Sequence, residues 1–203
     1  MERKTKVLAL VAHDNMKRDL AEWVDWNSRK LSRHHLVCTG TTGKMVEKTL
    51  RDHREEHEDE TEEKPELKIT LLKSGPLGGD QQLGSLIADG KINALIFFWD
   101  PMSAQPHDVD VKALLRLATL YNVPTAINRS SADFLISSPL YEDDGYEPVV
   151  KDYKAYVERV LKWIEKETGV NFTPVSFFAI KCTQRLFLQE SEAFTPCPAA
   201  WIR

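Results

Sequence analysis

Ala94-Leu95-Ile96-Phe97-Phe98-Trp99 is apolar from end to end. A strand with one wet face alternates polar and apolar side chains. A strand without alternation is covered on both faces, the condition of a parallel sheet held between helices. Four other short runs fit the same sheet: Val7–Ala12, His35–Thr39, Leu67–Leu72 and Pro124–Asn128. Between them apolar residues recur at helical spacing, at Met16, Leu20, Trp23 and Val24 and again at Val111, Leu114, Leu115 and Ala118. Strand–helix alternation of this kind predicts an α/β fold with a parallel sheet, helices on both sides and right-handed crossovers.

The 203 residues suit a single domain plus an appendage. No apolar run approaches the ~20 residues of a membrane span, and Met1–Lys6 leads directly into the first strand without a signal-peptide pattern. Cys38, Cys182 and Cys197 are far apart and match neither a zinc spacing nor a disulfide framework, so reduced thiols in a cytoplasmic protein are expected. The net charge is −4, yet Glu55–Glu66 holds eight acids and one lysine, a local −7 that leaves the rest near +3. A mildly basic body suits a small anion and is too weak a signal for nucleic acid. The acidic run reads as a solvated loop or an extension of the preceding helix. A helix is expected after Pro148, with Tyr153, Tyr156, Val157, Val160, Leu161 and Ile164 on one stripe, and Asn171–Arg203 shows no periodicity.

Ligands of an open parallel sheet sit at the carboxyl ends of its strands. Here each strand exit is polar. The first leads to His13-Asp14 with Lys17 a turn later, and the second to Thr39-Gly40-Thr41-Thr42-Gly43. The third leads to Ser74-Gly75-Pro76-Leu77-Gly78-Gly79-Asp80-Gln81-Gln82, the fourth to Asp100 and on to His107, Asp108 and Asp110, and the fifth to Asn128-Arg129. Glycines let the third exit approach a ligand closely. The helix start that follows offers free N–H groups to an anion, beside one carboxylate, Asp80. An acid next to an anion site can take a proton from a phosphorylated substrate.

Each element has a plainer alternative. The threonines suit a tight turn and helix cap as well as a phosphate cradle with Lys17, and Asp80 alone is an ordinary N-cap. A cation shared by Asp14, Asp80 and Asp100 is the metal alternative, but no dense ligand motif accompanies them and no metal is expected.

Read in order, Val11–Asp14, Thr39–Gly43, Ser74–Gln82, Phe97–Pro101, Pro106–Asp108, Asp110–Thr119, Ala132–Phe134 and Asp152-Tyr153 resemble the methylglyoxal synthase family, over roughly Lys6 to Leu161. The resemblance implies a three-layer α/β/α domain with a five-stranded parallel sheet over residues 1–168, followed by a C-terminal extension, 169–203. It implies a lyase that converts dihydroxyacetone phosphate to methylglyoxal and inorganic phosphate with no cofactor. The expected assembly is a homohexamer under allosteric inhibition by phosphate. It makes Asp80 the base, supported by Asp14, Asp100 and Asp110. His13, Lys17, Thr39, Gly40, Thr41, Thr42, Ser74 and Gly75 would hold the substrate, chiefly its phosphate, and His107 its carbonyl end. Arg159 falls on an arginine expected to reach a neighbouring subunit's site. The acidic insertion at about 55–66 and the extension depart from the family pattern. The alternative of another class is a non-catalytic effector- or phosphate-binding module of the same fold, which would have no need of Asp80, Asp100, His107 and Asp110 together. An inactive homologue is a third reading.

Overall fold

The computed structural model describes residues 5–56, 66–104, 106–156, 158, 159, 163 and 166. The chain divides into two units, Met1–Lys151 and Asp152–Arg203. The first contains strands β1 (Val7–Ala12), β2 (His35–Cys38), β3 (Lys68–Leu71), β4 (Ala94–Phe98) and β5 (Thr125–Ala126). Its longer helices are α1 (Lys17–Trp26), α3 (Gly40–Glu56), α4 (Gly79–Ala88), α5 (Asp108–Leu120) and α6 (Arg129–Ser137), with short α2 (Ser28–Leu31) and α7 (Pro139–Glu142). The five strands form one sheet in the order β3-β2-β1-β4-β5, parallel at every pairing.

Period-two alternation divides the apolar strand residues between two cores. Leu8, Leu10, Leu36, Cys38, Ile96 and Phe98 pack with Leu20, Trp23 and Val24 of α1, Val46 and Leu50 of α3 and Ile136 of α6. Ala9, Val11, Val37, Leu95 and Phe97 point to the other face, against Leu83 and Ile87 of α4 and Val111, Leu114 and Ala118 of α5. All five residues of β4 are buried, which is why its sequence carries no polar alternation. Trp23 is fully buried, and its indole N–H donates to Asp133 Oδ1 at 2.8 Å, fastening α1 to α6.

The observed strands are shorter than the apolar runs suggest. Thr39, Trp99 and Asn128 leave the ladder, and Asn128 caps α6 by accepting the Ser131 N–H at 2.9 Å. The acidic run begins as the last turn of α3, through Glu56, and its remainder up to residue 65 lies outside the described residues. In the second unit residues 154–156, 158, 159, 163 and 166 are helical, while the rest of the expected stripe and the 169–203 extension lie outside the described residues.

Two glycines set the junction that carries Asp80. Gly78 has φ of +94°, a left-handed conformation that side chains disfavour. A Cβ on Gly79 would lie 2.0 Å from the Lys73 carbonyl oxygen, a backbone atom that cannot swing away. Gly79→Ala is therefore expected to cost about 3 kcal/mol through forced backbone movement, read as a lower urea midpoint. An unchanged midpoint would show that the junction is loose.

Candidate active site

The strand order changes direction at β1, which has β2 on one side and β4 on the other. A crevice opens at the carboxyl ends of strands that diverge in this way. Two hydrogen bonds stitch the exits of β1 and β4 together there. The His13 N–H donates to the Phe98 carbonyl at 3.2 Å, and the Asp100 N–H donates to His13 Nδ1 at 3.2 Å. Because Nδ1 accepts, the proton of a neutral His13 ring sits on Nε2. That Nε2 is buried and has no partner. Burial, and then the neighbouring His107, hold the His13 pKa below its ordinary value and favour the neutral ring.

Asp100 works on this arrangement from behind. Its carboxylate accepts from the Asn15 amide at 2.8 Å and from the Met102 N–H at 2.9 Å. The Asn15 bond is the main cause that keeps its pKa low. Both oxygens are thus engaged within the protein, and the same residue's N–H fixes the His13 tautomer. Asn15 carries no signal in the sequence, since its importance depends on the β1 and β4 exits being neighbours.

The third exit supplies the free acid. After Ser74, residues Gly75–Leu77 make one 3₁₀ turn, and the Ser74 carbonyl accepts from the Leu77 and Gly79 N–H groups. This folds the chain so that Asp80 enters the first turn of α4, 4 % exposed. Asp80 Oδ2 is buried without a hydrogen-bond partner and lies 3.8 Å from His107 Nε2. Desolvation is the largest cause raising the Asp80 pKa, and the charge of Asp110 adds to it, while His107 and His13 pull the other way. Gly75 packs against this pair: a Cβ there would lie 2.9 Å from His107 Nε2 and 3.0 Å from Asp80 Oδ2. His107 stands at the N-cap position of α5 without a side-chain cap bond, its ring centroid lies 6.0 Å from that of His13, and its Nδ1 is also buried and unpartnered. Asp110 follows one turn on, its N–H donating to the His107 carbonyl.

The second exit lies directly beside the third, as β2 lies beside β3. Thr39 and Thr42 are buried, and α3 begins at Gly40. A Cβ on Gly40 would lie 2.9 Å from the Ser74 backbone nitrogen, so the threonine turn and the Ser74 turn are pressed together. Lys17 Nζ donates to Thr41 Oγ1 at 2.7 Å and to Asp14 Oδ1 at 2.5 Å. Asp14 itself is 90 % exposed, and its contact is with Lys17. A lysine ammonium beside hydroxyls at the start of a 17-residue helix offers positive charge, O–H groups and free N–H groups to one anion. Arg159 belongs to the second unit, where its guanidinium lies 5.2 Å from the Tyr156 ring centroid. Among the described residues no group of three or more His, Cys, Asp or Glu side chains is placed to hold a metal ion, and no helix is long and apolar enough to cross a membrane.

Residues 19–127 match the MGS-like domain family. The methylglyoxal synthase of Maridesulfovibrio salexigens is 58 % identical over 159 residues, 78 % of this chain and 99 % of that protein. That of Proteus mirabilis is 50 % identical over 157 residues, 77 % of this chain and 93 % of that one. The crystal structure of methylglyoxal synthase from Elizabethkingia anophelis superposes with a TM-score of 0.65 at 46 % identity, over 76 % of this chain and 91 % of that one.

Two outcomes are expected from the electrostatics. The Asp80 carboxyl is harder to ionise folded than unfolded, so this group's stabilising contribution is greatest below the unfolded pKa and falls as pH rises through the folded one. Asp80→Asn should therefore raise the melting temperature at neutral pH, with the difference closing in acid; a lower melting temperature at neutral pH would contradict the desolvated carboxylate. Asn15→Ala should lower kcat about tenfold through a displaced His13 while phosphate affinity stays near that of the wild type, and an unchanged kcat would detach Asn15 from the site.

Proposed function

The chain belongs to the methylglyoxal synthase family, and we propose that Asp80 is the base of its carbon–oxygen lyase reaction. The substrate is dihydroxyacetone phosphate and the products are methylglyoxal and inorganic phosphate. The observation that carries the reading is the buried, unpartnered Asp80 oxygen facing His107 at the carboxyl end of the sheet.

Asp80 takes a proton from the hydroxymethyl carbon beside the carbonyl. A base of ordinary aspartate pKa, ~3.9, is weak at neutral pH, and the desolvation that raises it makes proton uptake easier. Charge develops on the carbonyl oxygen, and the N–H groups of His107 and His13 are the donors that stabilise the enediolate. A neutral imidazole suffices for this role. Electrons then flow from the enediol hydroxyl oxygen, whose proton passes to the departing phosphate as that oxygen becomes the aldehyde. A new carbon–carbon double bond forms as the bond between carbon and phosphate oxygen breaks. Lys17, Thr39, Gly40, Thr41, Thr42, Ser74 and Gly75 hold the phosphate so that this bond stands perpendicular to the enediolate plane and the departing charge is neutralised. Protonation of the terminal methylene completes methylglyoxal.

Asp110 supports the base through its charge, and Asp100 acts through His13. Asp14 steadies Lys17. Phosphate, as product, should compete for the cradle and inhibit. The family likeness supports a homohexamer in which Arg159 reaches a neighbour's site. Alignment over 159 residues, nearly the whole of one relative, supports a synthase-like domain at 1–168 and an extension at 169–203. A cytoplasmic setting goes with Cys38 as a free, buried thiol, its pKa pushed up to about 12 by desolvation.

The purified protein should release methylglyoxal and phosphate in equal amounts from dihydroxyacetone phosphate with chelator present, and Asp80→Asn should lower kcat by about 10³ or more. Phosphate binding without turnover in the wild type would instead indicate the effector-binding module.

A further inference from the structure

The opposite pole of the sheet carries a second polar crevice that the lyase reaction does not use. Lys6 precedes β1 and His34 precedes β2, whereas His13 and Thr39 follow those strands. A six-residue strand at ~3.3 Å per residue puts about 20 Å between the two ends. Lys6, Lys30, Arg33, His34, Tyr141 and the acids Glu142 and Asp144 line a cavity of about 90 Å³ there.

Its polar groups are mostly donors. The Lys6 backbone N–H donates to His34 Nδ1 at 3.4 Å, which leaves the ring proton on Nε2. The Tyr141 ring meets His34 edge-on at 5.6 Å, and the Lys6 ammonium lies 4.8 Å from its centroid while donating to the Tyr141 and Asp143 carbonyls. These contacts fix the phenol, yet its hydroxyl is buried with no hydrogen-bond partner. Such an orphan is rare and calls for a partner. Lys30 donates to the Ile136 carbonyl at 3.2 Å and lies 3.6 Å from Glu142. Arg33 adds a guanidinium whose charge is felt at His34, where Asp144 acts in the opposite sense. Three cations against two carboxylates leave the lining with one net positive charge.

From the cavity, the orphaned Tyr141 hydroxyl and the His34 and Arg33 donors, we propose that this pole binds a small oxyanion, a phosphate or a carboxylate. Tyr141 Oη–H and His34 Nε2–H donate to it and Arg33 supplies the charge-assisted bonds. The two acids limit the ligand to one charged group and exclude polyanions. The site is independent of the catalytic reading, since none of its residues belongs to the cradle.

The test follows the His34 imidazole by NMR in the full chain, in a Lys17→Ala background that weakens the catalytic cradle. Inorganic phosphate and acetate are titrated separately against potassium chloride of matched ionic strength. His34 should shift saturably with at least one oxyanion and not with chloride, and the one that saturates first identifies the preferred oxyanion. Arg33→Gln should weaken that binding about tenfold. Tyr141→Phe, which preserves the ring packing, should weaken it about fivefold. A His34 signal indifferent to both oxyanions, or one that shifts alike in wild type and both variants, overturns the proposal.

Discussion

A carboxylate buried at the start of α4, with one oxygen, Asp80 Oδ2, left without a hydrogen-bond partner, is the constraint around which the site is organised. Burying an ionisable group in this way opposes folding unless the surrounding structure enforces it. Here the enforcement is steric. The 3₁₀ turn after Ser74, the left-handed Gly78 and the contact of Gly79 with the Lys73 carbonyl leave Asp80 one place to go, the buried start of α4. Gly75 lets His107 come within 3.8 Å of it. The buried polar atoms without partners at this end, on His13, Asp80 and His107, are the groups a substrate would satisfy.

The rest of the fold holds the other components in register with that carboxylate. Covering both faces of β1 and β4 with helices makes the sheet a rigid base, and the pairing of β1 with β4 places His13 next to Asp100. The Asn15–Asp100–His13 chain then selects one imidazole tautomer without placing a formal charge against the substrate. Positive charge comes from Lys17, where it meets Thr41 at the start of α3.

Much of this was legible in the sequence because the signals were local. Unbroken apolarity in Ala94–Phe98 identified the doubly covered strand, and the glycines around Asp80 marked the turn that buries it. What escaped was what depends on tertiary neighbours. Asn15 gains its role from a residue far along the chain, Asp100. Asp14 reads in the sequence as one more acid at a strand exit, and its exposure beside Lys17 depends on tertiary placement. The strands end earlier than their apolar runs because Thr39 and Asn128 are polar residues at helix starts, and the sequence shows α6 only as a polar strand exit. The crevice at the opposite pole joins Lys6, His34 and Tyr141, residues with no common motif.

In the proposed mechanism the fold itself desolvates Asp80 and prepares it to accept a proton. Carboxyl-carbon NMR of the free protein, titrated from acid to neutral pH with Asp80 assigned by its loss in Asp80→Asn, measures this directly. Its midpoint should lie clearly above that of an ordinary aspartate. A midpoint at or below the ordinary value would mean that the carboxylate is solvated or paired in solution, and the base would have to be sought elsewhere.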